Sequence, residues 1–269
     1  MTKPEKPLRI PDVQSRKTRG EKITMLTAYS SWQARLLWET GSIDMFLVGD
    51  SLGMVELGYE NTVPVTMDDM VHHARSVRRG APQAVIVADM PFLTHRTGLG
   101  RALRNAGRLV QEGLATAVKV EGGEAIAPTV AKIVAAGIPV MGHLGLTPQA
   151  IHVLGGFRRQ AKLPQEQEQL LADARALQSA GAFALVLEYV PDSLGYEASK
   201  MLDIPVIGIG SGPGCDGQIL VMHDILGLSG DRVPAFAKTY ARLDVEIKNA
   251  VASFAGEVRS GRFPPASGT

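Results

Sequence analysis

Asp50, Asp89, Glu121, His143 and Glu188 each close a short apolar run, and Tyr29 closes another. A charged group at the end of a buried run is not core material, because an unpaired buried charge is costly. Taken singly, each acid is as well explained as a turn residue, a helix cap or an arginine partner. Taken together they collect several carboxylates in one cleft, provided the runs that carry them are neighbouring strands. Like charges so placed repel unless a cation or bound protons offset them. Asp50, Asp89 and Glu121 are hard oxygen donors with no cysteine or spaced histidine pair among them, which favours Mg2+ or Mn2+ over zinc. His72 and His73 are adjacent and so point to different faces, a poor start for a paired metal site.

Lys119 precedes Glu121 by two residues, and on a strand such residues share a face. It is either a Schiff-base lysine or, more simply, a fixed positive charge that binds a substrate carboxylate or enolate oxygen. The second reading is preferred, because acids close by hold an amine protonated. Glu188 arrives from farther along the chain and suits a general base, with Leu187 and Val190 as apolar neighbours. His143 is an alternative base or a hydrogen-bond donor to substrate, unless the backbone satisfies it. These parts predict metal-assisted enolisation of a 2-oxo acid: chelation of the ion by the substrate, proton removal by Glu188, and charge from the ion and Lys119 on the developing enolate. They do not identify the carbon electrophile.

The elements that must position these residues read as alternating strands and helices. Strands are expected at 22–28, 46–48, 84–88, 117–121, 138–142, 184–187, 205–209 and 218–222. Helical stripes fall between them, with Ala34, Leu37 and Trp38 on one, Met70, Ala74 and Val77 on the next, and glycine stops such as Gly41, Gly80 and Gly113. Thr66 with Asp69 resembles a capping box. The pattern predicts an α/β protein, a (β/α)8 TIM barrel whose active site lies at the strand C-termini. One domain is expected over 1–269, with a polar N-terminal arm over about 1–20, either loose or an interface arm, a helix over about 236–258 and a frayed tail over about 262–269. The long connection from Leu144 to Pro164, with Gly155 and Gly156, reads as a functional lid. Gly210 to Gly214 reads as a tight turn, since no Gly-Lys-Ser/Thr follows for a phosphate loop.

With 269 residues, 45% of them hydrophobic, and a formal net charge of +1, the chain supports a large core and shows no electrostatic footprint for nucleic acid or membrane. The single cysteine, Cys215, excludes an internal disulfide framework and fits a reducing compartment. No signal-like or membrane-spanning apolar run is present. A cytoplasmic protein is expected. Rival readings are a metal-dependent C–C lyase on the same barrel, which would need an acidic or nucleophilic cysteine at the mouth, and a barrel that only binds a metabolite or serves as a scaffold.

Four long motifs, Val48 to Met54, Lys119 to Gly123, Gly142 to Gln149 and Gly208 to Gln218, in this order, resemble ketopantoate hydroxymethyltransferase, a family also called 3-methyl-2-oxobutanoate hydroxymethyltransferase. The resemblance runs from about Lys22 to the C-terminal helix. It implies a barrel of the phosphoenolpyruvate/pyruvate type and transfer of a one-carbon unit from 5,10-methylenetetrahydrofolate to 3-methyl-2-oxobutanoate, giving 2-dehydropantoate for pantothenate and coenzyme A. By motif it also implies an Mg2+ site at Asp50, Asp89 and Glu121, oxo-acid contacts at Asp50, Ser51, Asp89 and Lys119, and Glu188 as proton acceptor. Tyr29 and His143 stand as accessory candidates. The family implies a homo-oligomer, often a decamer. Departures are Ser30 where the family commonly has Asp, Ser211 where it often has Ala, and Phe157 to Gln160 without the usual following Gly, which touches the expected folate contacts.

Overall fold

Strands covered on both faces need apolar residues at every position, and this chain supplies them with two destinations. In the computed structural model, which describes residues 8–230 and 233–265, Ile23, Met25, Met45, Leu47, Val85, Val87, Ala117, Met141, Val186 and Ile207 share one apolar cluster. Their alternating neighbours, such as Phe46, Val48, Ile86, Ala88, Val118, Val120, Leu185 and Leu187, belong to a second cluster with the helices. The first cluster is the barrel interior and the second the strand–helix layer.

The described chain divides into two compact units, one up to Val221 and one from Met222. In the first, the order is α1 (Ile10–Thr18), β1 (Ile23–Thr27), α2 (Ser31–Glu39), β2 (Met45–Val48), α3 (Leu52–Val55), α4 (Met67–Gly80), β3 (Val85–Asp89), α5 (Leu99–Gln111) and β4 (Ala117–Glu121). It continues with α6 (Ala127–Ala135), β5 (Val140–Gly145), α7 (Ile151–Leu154), α8 (Pro164–Ser179), β6 (Ala184–Glu188), α9 (Asp192–Met201), β7 (Val206–Ile209) and β8 (Gly217–Leu220). The strands pair in parallel in chain order, and β8 returns to β1 to close the barrel. This is the expected (β/α)8 fold.

Local chemistry starts the helices where the sequence signals them. Thr66 Oγ1 accepts from the Asp69 N–H at 3.2 Å while Asp69 Oδ2 accepts from the Thr66 N–H at 2.9 Å, so aspartate closes the α4 capping box. Ser30 caps α2 and accepts from the Gln33 N–H at 3.4 Å, while Gln33 Oε1 accepts from the N–H groups of Tyr29 and Ser30. The departure at Ser30 thus keeps a capping side chain.

Several expectations are corrected. The N-terminal arm is not loose where it is described. Residues 10–18 form α1, and Val13 is fully buried in the barrel-interior cluster, with Leu8 and Ile10 against it. Lys17 Nζ donates to the carbonyls of Ser199 and Ile204 at 2.6 and 3.0 Å and to Asp216 Oδ2 at 2.8 Å. Residues 1–7 and 266–269, the outer parts of the expected arm and tail, lie outside the described residues. Helix α8 begins at Pro164, with proline at its first turn where a missing N–H costs nothing. Helix α9, unforeseen, links β6 to β7.

The second unit holds α10 (Met222–Leu226) and α11 (Leu243–Arg259). The helix expected from about 236 starts only at Leu243, because the segment before it turns back on α10 through the Tyr240 N–H to the Ile225 carbonyl at 2.8 Å. No residue of α11 is buried. Among the described residues no helix is long and apolar enough to cross a membrane.

Candidate active site

The barrel register builds the site. Asp89 ends β3 directly opposite Lys119 on β4, and Glu121 ends β4 opposite His143 on β5. Glu188 ends β6 opposite Gly145. Asp89, Lys119, Glu121, His143 and Glu188 continue the same alternation as the interior residues Val87, Ala117, Met141 and Val186 below them. The interior is therefore apolar along most of its length and charged at the strand C-termini. Asp50 follows β2 in the turn to α3, and Ser51 and Tyr29 stand beside it.

These side chains touch one another. Lys119 Nζ lies 3.1 Å from Asp89 Oδ1 and 3.0 Å from His143 Nδ1. His143 Nδ1 is 3.4 Å from Glu121 Oε1, and its Nε2 is 3.1 Å from Glu188 Oε2. The Asp50 N–H donates to Asp89 Oδ2 at 3.0 Å. The Tyr29 and Ser51 hydroxyls bond at 2.8 Å, and Tyr29 is fully buried. With Lys119 donating to its Nδ1, neutral His143 carries its proton on Nε2, towards Glu188. That contact is close but not aligned as a hydrogen bond.

Burial and charge act in opposite directions on these groups. Burial, then the charges of Asp89 and Glu121, raises the Asp50 pKa well above the usual carboxylate range. Burial also raises Asp89, against the pull of Lys119 and the Asp50 N–H. Burial would raise Glu121 too, but His143, Lys119 and the Gln149 N–H outweigh it and hold the group low. Burial disfavours the Lys119 ammonium, yet the charges of Asp89, Glu121 and Asp50 prevail and its pKa rises. A lysine so held is a fixed positive charge, not a free amine. For His143, burial and Lys119 pull the pKa down, and Glu121 and Glu188 pull it up more strongly. Burial raises the Tyr29 pKa.

The structure adds residues that had no distinct signal in the sequence. Gln149, just past β5, donates from Nε2 to Asp50 Oδ2 at 2.7 Å and to the Met90 carbonyl at 3.0 Å, and from its backbone N–H to Glu121 Oε2 at 3.1 Å. His95 Nε2 and Arg96 Nη2 both donate to the Glu121 carbonyl, at 3.0 and 2.9 Å. Gly145, at φ +87°, brings the chain so close to the Glu188 carbonyl that any Cβ would clash with it. The lid expected over 144–164 is tied to the loop after Glu188: the Gln160 N–H donates to the Tyr189 carbonyl at 2.9 Å, and Arg159 Nη2 to the Val190 carbonyl and Asp192 Oδ1.

The donor set fits a hard divalent cation. The excess of carboxylate over ammonium in one buried cleft calls for positive charge, and Asp89 Oδ1, beside Lys119, and Glu121 Oε1 are buried without a hydrogen bond. The three acids share the mouth without forming a closed triad. Among the described residues no three His, Cys, Asp or Glu side chains are placed to hold an ion by themselves, since Lys119 and Gln149 stand among the acids. The adjacent His72 and His73 meet edge to face, and His73 Nδ1 bonds the Tyr29 carbonyl at 2.6 Å.

The Gly210–Gly214 stretch is a tight turn against α9. Gly212, at φ +78°, leaves no room for a side chain, since a Cβ would stand 2.6 Å from Asp192 Cβ. Ser211 Oγ donates to the Leu187 carbonyl at 2.7 Å, a use for serine at this departure. Cys215 is fully buried, and burial pushes its thiol up to about 11, which suits neither an acid nor a nucleophile at the mouth.

A family description, Ketopantoate hydroxymethyltransferase, matches residues 7–266. The chain belongs to this family. The 3-methyl-2-oxobutanoate hydroxymethyltransferase of Moorella thermoacetica is 55% identical over 255 residues, 95% of this chain and 94% of that one. That of Acetivibrio thermocellus is 55% identical over 248 residues, 92% of this chain and 87% of that one. The chain is an enzyme with ketopantoate hydroxymethyltransferase activity. Solved structures agree on the fold alone. A 2,3-dimethylmalate lyase of the PEP mutase/isocitrate lyase superfamily superposes with TM-score 0.60 at 14% identity, covering 96% of this chain and 91% of that one. A phosphonopyruvate hydrolase in complex with oxalate and Mg2+ superposes with TM-score 0.62 at 13% identity, covering 97% and 90%. Both likenesses extend over nearly the whole barrel described above.

Proposed function

We propose that the hydroxymethyl group comes from 5,10-methylenetetrahydrofolate and that the transfer to 3-methyl-2-oxobutanoate runs through an enolate, with Glu188 as proton acceptor. The C3–H bond of the oxo acid breaks and a C3–CH2 bond forms. Water supplies the hydroxyl as tetrahydrofolate leaves, and 2-dehydropantoate results. The observation that carries this reading is Glu188 itself. It faces inward from β6, across an eight-stranded ring from β2 and Asp50, with His143 at 3.1 Å. A base so placed reaches C3 of an oxo acid whose oxygens lie on the Asp50 side. Lys119 adds positive charge near the oxygen that becomes negative. Ser51, its hydroxyl oriented by Tyr29, contacts the oxo acid together with Asp50, Asp89 and Lys119, and His143 lies against Glu188 as an accessory residue.

The cation in this reading is Mg2+, which Asp50, Asp89 and Glu121 would hold. When bound, it supplies Lewis-acid polarisation of the substrate carbonyl. The Mg2+ and oxalate in the phosphonopyruvate hydrolase structure support the choice.

Incubation with 3-methyl-2-oxobutanoate and Mg2+ in D2O, followed by NMR at C3, tests the enolate. Loss of the C3 proton is expected. No exchange, with or without folate, sinks the reading. Asp50→Ala is expected to abolish cation-dependent oxo-acid binding in calorimetry, and undiminished binding contradicts the ligand role. The same proposal includes a cytoplasmic setting, which fits one cysteine, a homo-oligomer such as a decamer, and a single working domain over 1–269. A fully active fragment ending near Val221 would overturn the last of these.

A further inference from the structure

Gln149 is buried, and its donors leave its own segment entirely. It sits in the short turn Pro148–Ala150, where the Ala150 N–H already closes on the Thr147 carbonyl at 2.9 Å. The turn therefore does not need the glutamine side chain. Both side-chain N–H groups are spent across the mouth, on Asp50 Oδ2 at 2.7 Å and on the carbonyl of Met90, the residue after Asp89, at 3.0 Å. The backbone N–H is spent on Glu121 Oε2 at 3.1 Å. One residue thus grips the segments that follow β2 and β3 and the end of β4.

The grip is selective between the two oxygens of an acid. Glu121 gives Oε2 to Gln149, while its Oε1 is buried with no hydrogen bond. Asp89 shows the same division, with Oδ2 held by the Asp50 N–H and Oδ1 without a hydrogen bond beside Lys119. A carboxylate turns easily about its last torsion, and a hydrogen bond to one oxygen fixes where the other points. We infer that Gln149 is a positioning residue. It sets the rotation of the Asp50 carboxylate from its side chain and that of Glu121 from its backbone, and so fixes which oxygens face a divalent cation. The inference rests on the reading of Asp50 and Glu121 as cation ligands. It gives the glutamine of the loop after β5 a duty towards the metal that neither the strand pattern nor the loop's lid role supplies. Partners that orient ligands in this way are worth about 10- to 100-fold in metal affinity.

The test is direct cation binding by the whole protein without substrate, with Mn2+ followed by electron paramagnetic resonance and Mg2+ by calorimetry. Gln149→Met keeps the side-chain length and the backbone N–H but removes both side-chain donors. It is expected to weaken binding about 10- to 100-fold. In turnover the cation concentration for half activity should rise by the same factor. A residue that only fills space would lower the active fraction and leave both cation constants where they were. Gln149→Asn, which keeps the amide but withdraws it from Asp50, is expected to lose at least about threefold, and it serves if the methionine variant does not fold. Wild-type cation affinity in either folded variant overturns the inference and leaves the site reading intact. A wild-type protein that binds neither cation overturns the site reading, and the inference with it.

Discussion

At the scale of single residues, the site is a chain of contacts with Glu188, the proposed base, at one end. Glu188→Gln keeps the shape of that end and removes its capacity to accept a proton. C3 exchange should fall by at least about a hundredfold, the low end of what general-base catalysis contributes. Divalent-cation binding should stay within about twofold, and exchange at the wild-type rate would remove Glu188 from the mechanism. His95 makes a second prediction. Its Nε2 donates to the Glu121 carbonyl, Nδ1 is buried without a partner, and burial holds its pKa down to about 4. In the unfolded chain the value returns to about 6.5, so between these limits the unfolded state binds more protons. Its stabilising contribution is therefore complete above about pH 6.5 and is lost as pH falls towards 4. Between pH 7 and pH 5 the loss from this group is about 2 kcal/mol. Unfolding free energies from denaturant curves should fall by that much more in the wild type than in His95→Gln, and an equal fall in both would show that His95 does not titrate this way.

At the scale of elements, α1 is the clearest gain over the sequence. A stretch that reads as a polar arm places Val13 in the barrel interior and Lys17 against Ser199, Ile204 and Asp216. Val13→Ala removes two buried carbons and should cost about 2 kcal/mol of stability. Turnover per folded molecule should be unchanged, because the interior side chains between α1 and the mouth are untouched. A variant as stable as wild type in urea would show that α1 does not hold the barrel. The turn after β7 teaches a related lesson, since its glycines give close packing against α9 and Cys215 is left as core.

At the scale of the whole molecule, α11 has no buried residue although Ile247, Val251, Phe254 and Val258 recur on one face and are exposed. An apolar stripe of this kind fits the proposed homo-oligomer. Val251→Asp combined with Phe254→Asp should shift the assembly to smaller species in analytical ultracentrifugation. An unchanged sedimentation coefficient would place the interface elsewhere.

Fold class and the gathering of the candidate site's ionisable groups at one mouth were legible in the sequence for one reason. In a parallel barrel every strand is apolar up to its C-terminal end, so the first ionisable residue beyond each run marks the mouth, and Asp89, Glu121, His143 and Glu188 announce themselves by position alone. Lys119 needed only the period of two. The arrangement of those groups needed the closed barrel. Strand register, which no single run encodes, sets Asp89 opposite Lys119 and Glu121 opposite His143. Loop return over the mouth, also unencoded locally, brings Gln149 to Asp50 and Glu121. The sequence determined which chemical groups reach the mouth; tertiary structure decided which oxygen meets which donor, because that depends on contacts between residues far apart in the chain.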